Sequence, residues 1–309
     1  MKTKILYFTD PHNSATPPLM RTGSYCEDIL KKQEQLVEPA KKCDLVVCGG
    51  DVFHQKKVSR ISHALVNKIM EIYREFPRLY VVPGNHDIDT VMDWSDRPLG
   101  TLEKLPNIRV IHEEIVHFGG MNLYFFGGGD FFSPSQLLDF VKREPKHHGL
   151  KVGVLHYPIA TNRELYKFEI MLVQDLLKYF QFMFLGHIHT LHHCDGLVAA
   201  PGALSRGVLA IDETLERQIW YTVVQFGEEG RLSNLPVELI VKSPDEIFKM
   251  EEKRDNVHQQ RAIESFVNYI EKLKIPKGIS KEQLLVFIDK QDVSEPVKRE
   301  AKRILEGLE

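Results

Sequence analysis

The stretch KILYFTDPH, Lys4–His12, decides the fold. KILYF is mostly β-branched, aromatic or otherwise apolar, the texture of a short buried strand. Asp10-Pro11-His12 then ends the strand and presents a carboxylate and an imidazole with one residue between them. The same design recurs along the chain. Leu45–Cys48 (LVVC) runs into Gly49-Gly50-Asp51-Val52-Phe53-His54, and Leu79–Val82 (LYVV) into Pro83-Gly84-Asn85-His86-Asp87. Val152–Leu155 runs into His156, and Phe182–Leu185 into Gly186-His187-Ile188-His189.

Helical patterns lie between several of these runs. Ile61, Leu65, Ile69 and Ile72 recur at helical spacing, as do Leu172, Leu176 and Tyr179. Further strands are expected at Ile108–Ile111 and Leu123–Phe126. Strands alternating with helices point to an α/β layered fold. The later runs Gly196–Gly202, Ile219–Phe226 and Val237–Val241 have no clear helices between them and are expected to close a sheet in antiparallel fashion.

In open α/β sheets, sites gather at the carboxyl ends of the strands, because the loops there converge on one edge. Five strand ends offering Asp, Asn or His are therefore expected to meet in space. Of the three Asp, one Asn and six His there, a set of two Asp, one Asn and four His, with no thiolate, suits borderline or hard divalent metals. Seven donors exceed one closed site. They suit two cations about 3.5–4 Å apart sharing a carboxylate. Gly49, Gly50, Gly84 and Gly186 are expected to let the backbone turn sharply at these donors.

DPH, GGDVFH, GNHD, a lone His after a strand, and GHIH, in this order, resemble the calcineurin-like metallophosphoesterases over roughly residues 1–205. The GGDVFH form of the second block and the spacing of the whole set resemble the SbcD-type exonuclease subunits of DNA double-strand-break repair. GGDVFHQKK does not match the GDxxDRG block of the protein-phosphatase branch.

The resemblance implies a four-layer β-sandwich flanked by helices, and a pair of divalent cations, Mn2+ first, with Fe2+, Zn2+ or Mg2+ as alternatives. It implies that Asp10, His12 and His189 hold one cation, that Asn85, His156 and His187 hold the other, and that Asp51 bridges them. His86 would act on the phosphate or protonate the departing oxygen. Asp87 would orient His86, and His54 would be a further phosphate contact.

Composition narrows the rest. The chain has 309 residues, 43% hydrophobic and 27% charged, which is ordinary for a globular protein. Its formal net charge of −3 means that any nucleic-acid binding rests on a local patch, a metal site or a partner. The start, MKTKILYFTD, is not expected to be a signal peptide, and no run approaches the roughly 18–20 apolar residues of a membrane span. Cys26, Cys43, Cys48 and Cys194 show no CxxC spacing and are expected to be free thiols in a reducing cytoplasm.

Lys56, Lys57 and Arg60, just past His54, form the best candidate basic patch for a DNA backbone, and Arg206 is a further phosphate candidate. Gly127–Asp130 (GGGD) lacks the Lys-Ser/Thr of a P-loop and reads as a strand-to-loop turn. His147-His148 and His192-His193 read as solvated loop residues.

The texture changes after about residue 245, giving an expected catalytic body over 1–245 and a helical tail over 246–309. The tail carries the stripes Phe266/Ile270 and Ile304/Leu305, which suit docking on a partner helix. In SbcD-like chains such helices grip the coiled coil of an SMC-like ATPase of SbcC type. Such chains also carry a sizeable capping domain, for which this sequence leaves little room. The helix from about Ile61 to Arg74, with Met92 and Trp94, is a candidate homodimer face.

Three functions compete: a metal-dependent DNA nuclease with an ATPase partner; a small-molecule phosphoesterase such as a cyclic-nucleotide phosphodiesterase; and a non-catalytic scaffold, against which the complete donor set argues.

Overall fold

A computed structural model describes residues 2–18, 21, 23–54, 61–88, 93–161, 170–190, 196–206, 218–228 and 230–248. The chain divides into two compact units, Met1–Glu246 and Ile247–Glu309, and the elements below belong to the first. The expected basic patch (Lys56, Lys57, Arg60), Met92, the pair His192-His193, Cys194 and the tail stripes lie outside the described residues.

Two sheets form the body. The first has six strands in the order β13-β12-β1-β2-β3-β4. Here β1 is Thr3–Phe8, β2 Leu45–Cys48, β3 Leu79–Val81, β4 Ile108–Val110, β12 Trp220–Gly227 and β13 Gly230–Glu238. β1 to β4 are mutually parallel, and β12 and β13 add an antiparallel hairpin beside β1.

The second sheet has the order β11-β10-β7-β6-β5. Its strands are β5 Glu114–Phe118, β6 Met121–Phe126, β7 Leu150–His156, β10 Phe182–Gly186 and β11 Val198–Ala199. A small parallel pair, β8 (Ile159–Ala160) with β9 (Met171–Leu172), stands apart.

Two expectations are corrected. β11 runs parallel to β10, not antiparallel, because the chain between Gly186 and Val198 is long enough to cross back to the same end of the sheet. The last strand of the first sheet begins at Gly230, well before Val237, because it pairs with β12 as a hairpin.

The alternation of each strand assigns the layers. Ile5, Tyr7, Val47, Leu123, Phe125, Val154, Phe182 and Phe184 pack in one cluster between the sheets. Leu6, Phe8, Val46, Cys48 and Val81 face the other way, onto helices α1 (Tyr25–Glu34) and α2 (His63–Arg74). Phe126, Leu155 and Leu185 pack against α3 (Pro134–Val141) on the far side of the second sheet. The body is thus helix, sheet, sheet, helix.

The helices start where their sequence says they should. Ser24, Ser62 and Ser133 cap the three N-termini by accepting the backbone N–H of Glu27, Leu65 and Gln136. Ile69 and Tyr73, one helical turn apart, are fully buried on the inner face of α2. Trp94 packs partly buried on the same core and donates its indole N–H to Glu103 at 2.9 Å. Among the described residues, Cys26, Cys43 and Cys48 are free thiols, and no helix is long and apolar enough to cross a membrane.

Candidate metal centre

Parallel pairing brings the donor loops together. The ladder between β1 and β2 continues past both strand ends: Asp10 N–H donates to Gly50 O at 3.0 Å, His12 N–H to Asp51 O at 3.0 Å and Asn13 N–H to Val52 O at 2.9 Å. His54 N–H then returns to Asn13 O at 3.1 Å. The first two donor loops are therefore in register like strands, although their residues are not extended.

Four of the donors take left-handed backbone angles: Asp10 (φ +52°), His12 (+46°), Asp51 (+49°) and His187 (+83°). Each costs about 1–2 kcal/mol for a residue with a Cβ. Of the described residues other than glycine, only Glu113 shares this region. Strain concentrated on one constellation is a mark of a functional site.

The glycines serve the expected purpose only in part. Of Gly49, Gly50, Gly84 and Gly186, only Gly50 takes a left-handed angle (φ +105°). Gly84 is needed for close approach, since a Cβ there would stand 2.0 Å from Asp51 Oδ1.

The seven donors converge. Asp51 Oδ2 stands 3.6 Å from His12 Nε2 and 3.4 Å from His156 Nε2. On one side, Asp10 Oδ1 lies 3.8 Å from His12 Nε2 and 3.6 Å from His189 Nε2, and those two nitrogens are 3.0 Å apart. On the other side, Asn85 Oδ1 lies 3.2 Å from His156 Nε2 and 3.0 Å from His187 Nδ1.

These spacings fit cations. At a metal–ligand distance of about 2.1 Å, donors sit about 3.0 Å apart along an octahedral edge and about 3.4 Å apart along a tetrahedral one. Asp10 Oδ1 is buried and receives no hydrogen bond, while Oδ2 takes the Thr9 hydroxyl and the His187 N–H. A buried carboxylate oxygen without a donor calls for positive charge. The residues present therefore fit two divalent ions, one on Asp10, His12 and His189 and one on Asn85, His156 and His187, with Asp51 common to both.

Surrounding bonds fix the donor atoms. His156 Nδ1 donates to Gly49 O at 2.6 Å; a carbonyl can only accept, so Nε2 is the nitrogen left for a cation. Asp51 keeps Oδ2 toward the imidazoles because Oδ1 accepts the His86 N–H at 2.8 Å. Burial pushes the Asp51 carboxyl up, but His156 and His12 outweigh it and hold the group well below the usual carboxylate range. Burial pushes His156 down, yet Asp51 carries it up to about 9, so without an ion Nε2 keeps a proton facing Asp51 that a bound cation would displace. Burial, and then the neighbouring His189, holds His12 well below its ordinary value, so its ring is neutral as a ligand must be.

His54 and His86 lie on the half-buried rim. Their rings stack with centroids 5.1 Å apart, and His86 lies edge-on to His12 at 4.9 Å. His86 Nδ1 donates to the His54 carbonyl at 3.0 Å.

Asp87 does not orient His86. It is buried, and its two oxygens accept the N–H groups of Val52 (3.1 Å), Phe53 (2.9 Å) and Gly84 (2.9 Å), clamping the second donor loop to the third. The backbone amides nearest its carboxylate took the place expected for the imidazole. Arg206 is likewise buried, and its guanidinium donates to Lys242 O at 3.3 Å, so it does not line the rim as a phosphate contact.

Supporting residues outside the motifs were not anticipated. Tyr25 donates its hydroxyl to His12 O at 3.0 Å. Buried Asn13, Gln33 and Tyr73 form a chain of side-chain bonds that ends on Val52 O. Gly129 lies against Asn85, where a Cβ would stand 2.7 Å from Oδ1. A signal for Gly129 did exist: GGGD follows β6 as GGD follows β2.

Residues 3–191 match the family model described as calcineurin-like phosphoesterase. Among solved structures, the chain is similar to TT1561 of Thermus thermophilus at 17% identity and a TM-score of 0.48, over 77% of this chain and 99% of that one. It is also similar to the 5'-nucleotidase precursor of the same organism at 12% identity and a TM-score of 0.46, over 89% of this chain and 60% of that one. Similarity to Pseudomonas putida nuclease MPE is 16% in identity with a TM-score of 0.28, over 48% of this chain and 59% of that one. No curated protein matches the chain. With that family model spanning all five donor loops, the chain belongs to the calcineurin-like phosphoesterases, a family of metal-dependent hydrolases.

Proposed function

We propose that this phosphoesterase is a phosphodiesterase acting on DNA, the nuclease subunit of an SbcD-type pair whose partner is an SMC-like coiled-coil ATPase. The observation that carries the reading is His54 stacked on His86 at the rim of the donor cluster. The second motif block supplies both the shared carboxylate and a second rim imidazole.

Two divalent ions, Mn2+ in this reading, would be held by the two donor sets and, when bound, would supply charge neutralisation for the phosphate and a hydrolytic nucleophile near neutral pH. The chain supplies the rest. Asp51 and the flanking imidazoles would hold the two ions side by side, facing the rim where a phosphate would enter. His86, its Nδ1–H committed to the His54 carbonyl, would hand a proton from Nε2 to the leaving oxygen when the ring is doubly protonated, and be left as the neutral Nδ1–H imidazole. His54 offers its own ring edge to the strand. The tail would dock on the ATPase, and a homodimer would pair two such sites on one DNA end.

A small-molecule phosphoesterase is the second reading, and the burial of Arg206 favours it by removing one rim cation. One assay separates them. The purified chain with Mn2+ is given labelled duplex DNA, single strands and a chromogenic phosphodiester, with and without the ATPase. DNA cleavage supports the proposal; turnover of the small ester with no DNA cleavage in either condition overturns it.

A further inference from the structure

We infer that His112 is a positioning residue for Asn85: by accepting the Gly127 N–H it seats the Gly127–Gly129 turn against the Asn85 side chain and readies that amide for a cation. The inference rests on reading Asn85, His156 and His187 as the ligands of one ion.

The geometry runs outward from Asn85. A Cβ on Gly129 would stand 2.7 Å from Asn85 Oδ1, 3.0 Å from its Cγ and 3.1 Å from its Cβ, so the Gly129 backbone covers one whole side of the ligand. Gly129 takes φ +56°, so an added side chain there would also be strained. The turn is pinned at two further points. Gly128 N–H donates to Pro83 O at 2.8 Å, on the same loop as Asn85. Gly127 N–H donates to His112 Nδ1 at 3.1 Å.

His112 is well placed to hold that bond. It follows β4 in the first sheet, whereas Gly127 follows β6 in the second, so the bond ties the two sheets at the donor end. The ring completes a triangle with Phe126 (centroids 5.3 Å) and Phe132 (5.1 Å), which are themselves 5.4 Å apart. Burial pushes its pKa down to about 4, which keeps Nδ1 a lone-pair acceptor at neutral pH. The bond thus reaches Asn85 through the turn and leaves the Asp10, His12 and His189 side untouched, so its loss weakens one ion and spares the other.

The test is calorimetric titration of Mn2+ into the purified full chain, stripped of metal. The wild type takes up two ions. His112→Phe keeps the aromatic cluster but removes the acceptor, and Gly129→Ala pushes on Asn85 directly. Each is expected to keep one ion at wild-type affinity and bind the second about ten-fold or more weakly. His112→Asn puts an oxygen where Nδ1 stood and restores the second ion. Wild-type affinity for both ions in His112→Phe overturns the inference, as does a loss that His112→Asn does not rescue. Should His112→Phe fail to fold by circular dichroism, Gly129→Ala decides, and an unchanged second ion there is equally fatal. A wild type that takes up no ions, or only one, refutes the two-ion site itself, a result distinguishable from any of these.

Discussion

His86 donates its Nδ1–H in a hydrogen bond to the backbone carbonyl of His54, 3.0 Å away, and not to a carboxylate. The ring is therefore held by a neutral acceptor that no ordinary substitution at residue 54 removes. His86→Ala is expected to retain both manganese ions, because His86 belongs to neither donor set, and to lose about 10²–10⁴-fold in kcat. Metal titration beside phosphodiester kinetics checks this. Loss of an ion in that variant would move His86 into the coordination sphere.

Asp51 is the point where the two donor sets meet, with Oδ2 3.6 Å from His12 Nε2 and 3.4 Å from His156 Nε2. At about 100 times its Kd, an ion bound only by the folded chain adds about 2.7 kcal/mol of stability. Manganese should therefore raise the wild-type Tm. Asp51→Asn weakens both sites, so most of that rise should vanish. His187→Ala removes one donor of a single site, so part of the rise should persist. Thermal melts with and without Mn2+ read both outcomes, and equal losses in the two variants would argue against a shared carboxylate.

Asp87 holds three backbone N–H groups from two donor loops. Asp87→Asn turns one accepting oxygen into a donor that confronts an N–H, which costs about 1–3 kcal/mol. Burial and the nearby Asp51 push the native carboxyl up to about 7, and relief of that repulsion trims the cost. Urea denaturation should show the drop, while the pH profile of kcat keeps its shape. A profile that loses one limb in Asp87→Asn would reinstate an Asp87–His86 pair.

What was legible in the sequence was whatever sits close along the chain. Strands such as Leu45–Cys48 announce themselves by β-branched content, and a donor within a few residues of a parallel strand's end must lie near the common edge. That Asp10, Asp51, Asn85, His156 and His187 would gather at one edge followed from that; their division into two ligand sets came from the family resemblance. What escaped depends on pairings across long separations. Asp87 stands beside His86 in sequence, yet its bonds to Val52 and Phe53 are set by how two loops stack. Asn13, Gln33 and Tyr73 look like three unrelated polar residues until α1 and α2 pack on one sheet. Arg206 could be kept as a phosphate candidate from sequence because its bond to the Lys242 carbonyl joins positions far apart in the chain.

The acceptor role of His112 has a signature in stability as well as in metal binding. Its pKa is about 4 in the folded chain, against an ordinary 6.5. Above pH 6.5 the ring is neutral in both states, and the bond to Gly127 contributes in full. Between about 6.5 and 4 the unfolded chain takes up a proton that the folded chain refuses, so stability falls as the pH falls. Below 4 the folded ring protonates too and the contribution is gone. At about 1.4 kcal/mol per unit, and allowing for the ring's partial exposure, the loss is on the order of 2 kcal/mol. His112→Asn cannot titrate, so its stability should fall less than that of the wild type between pH 6.5 and 4. Urea denaturation of the metal-free proteins at several pH values measures the difference, and parallel curves would show that His112 is not held neutral.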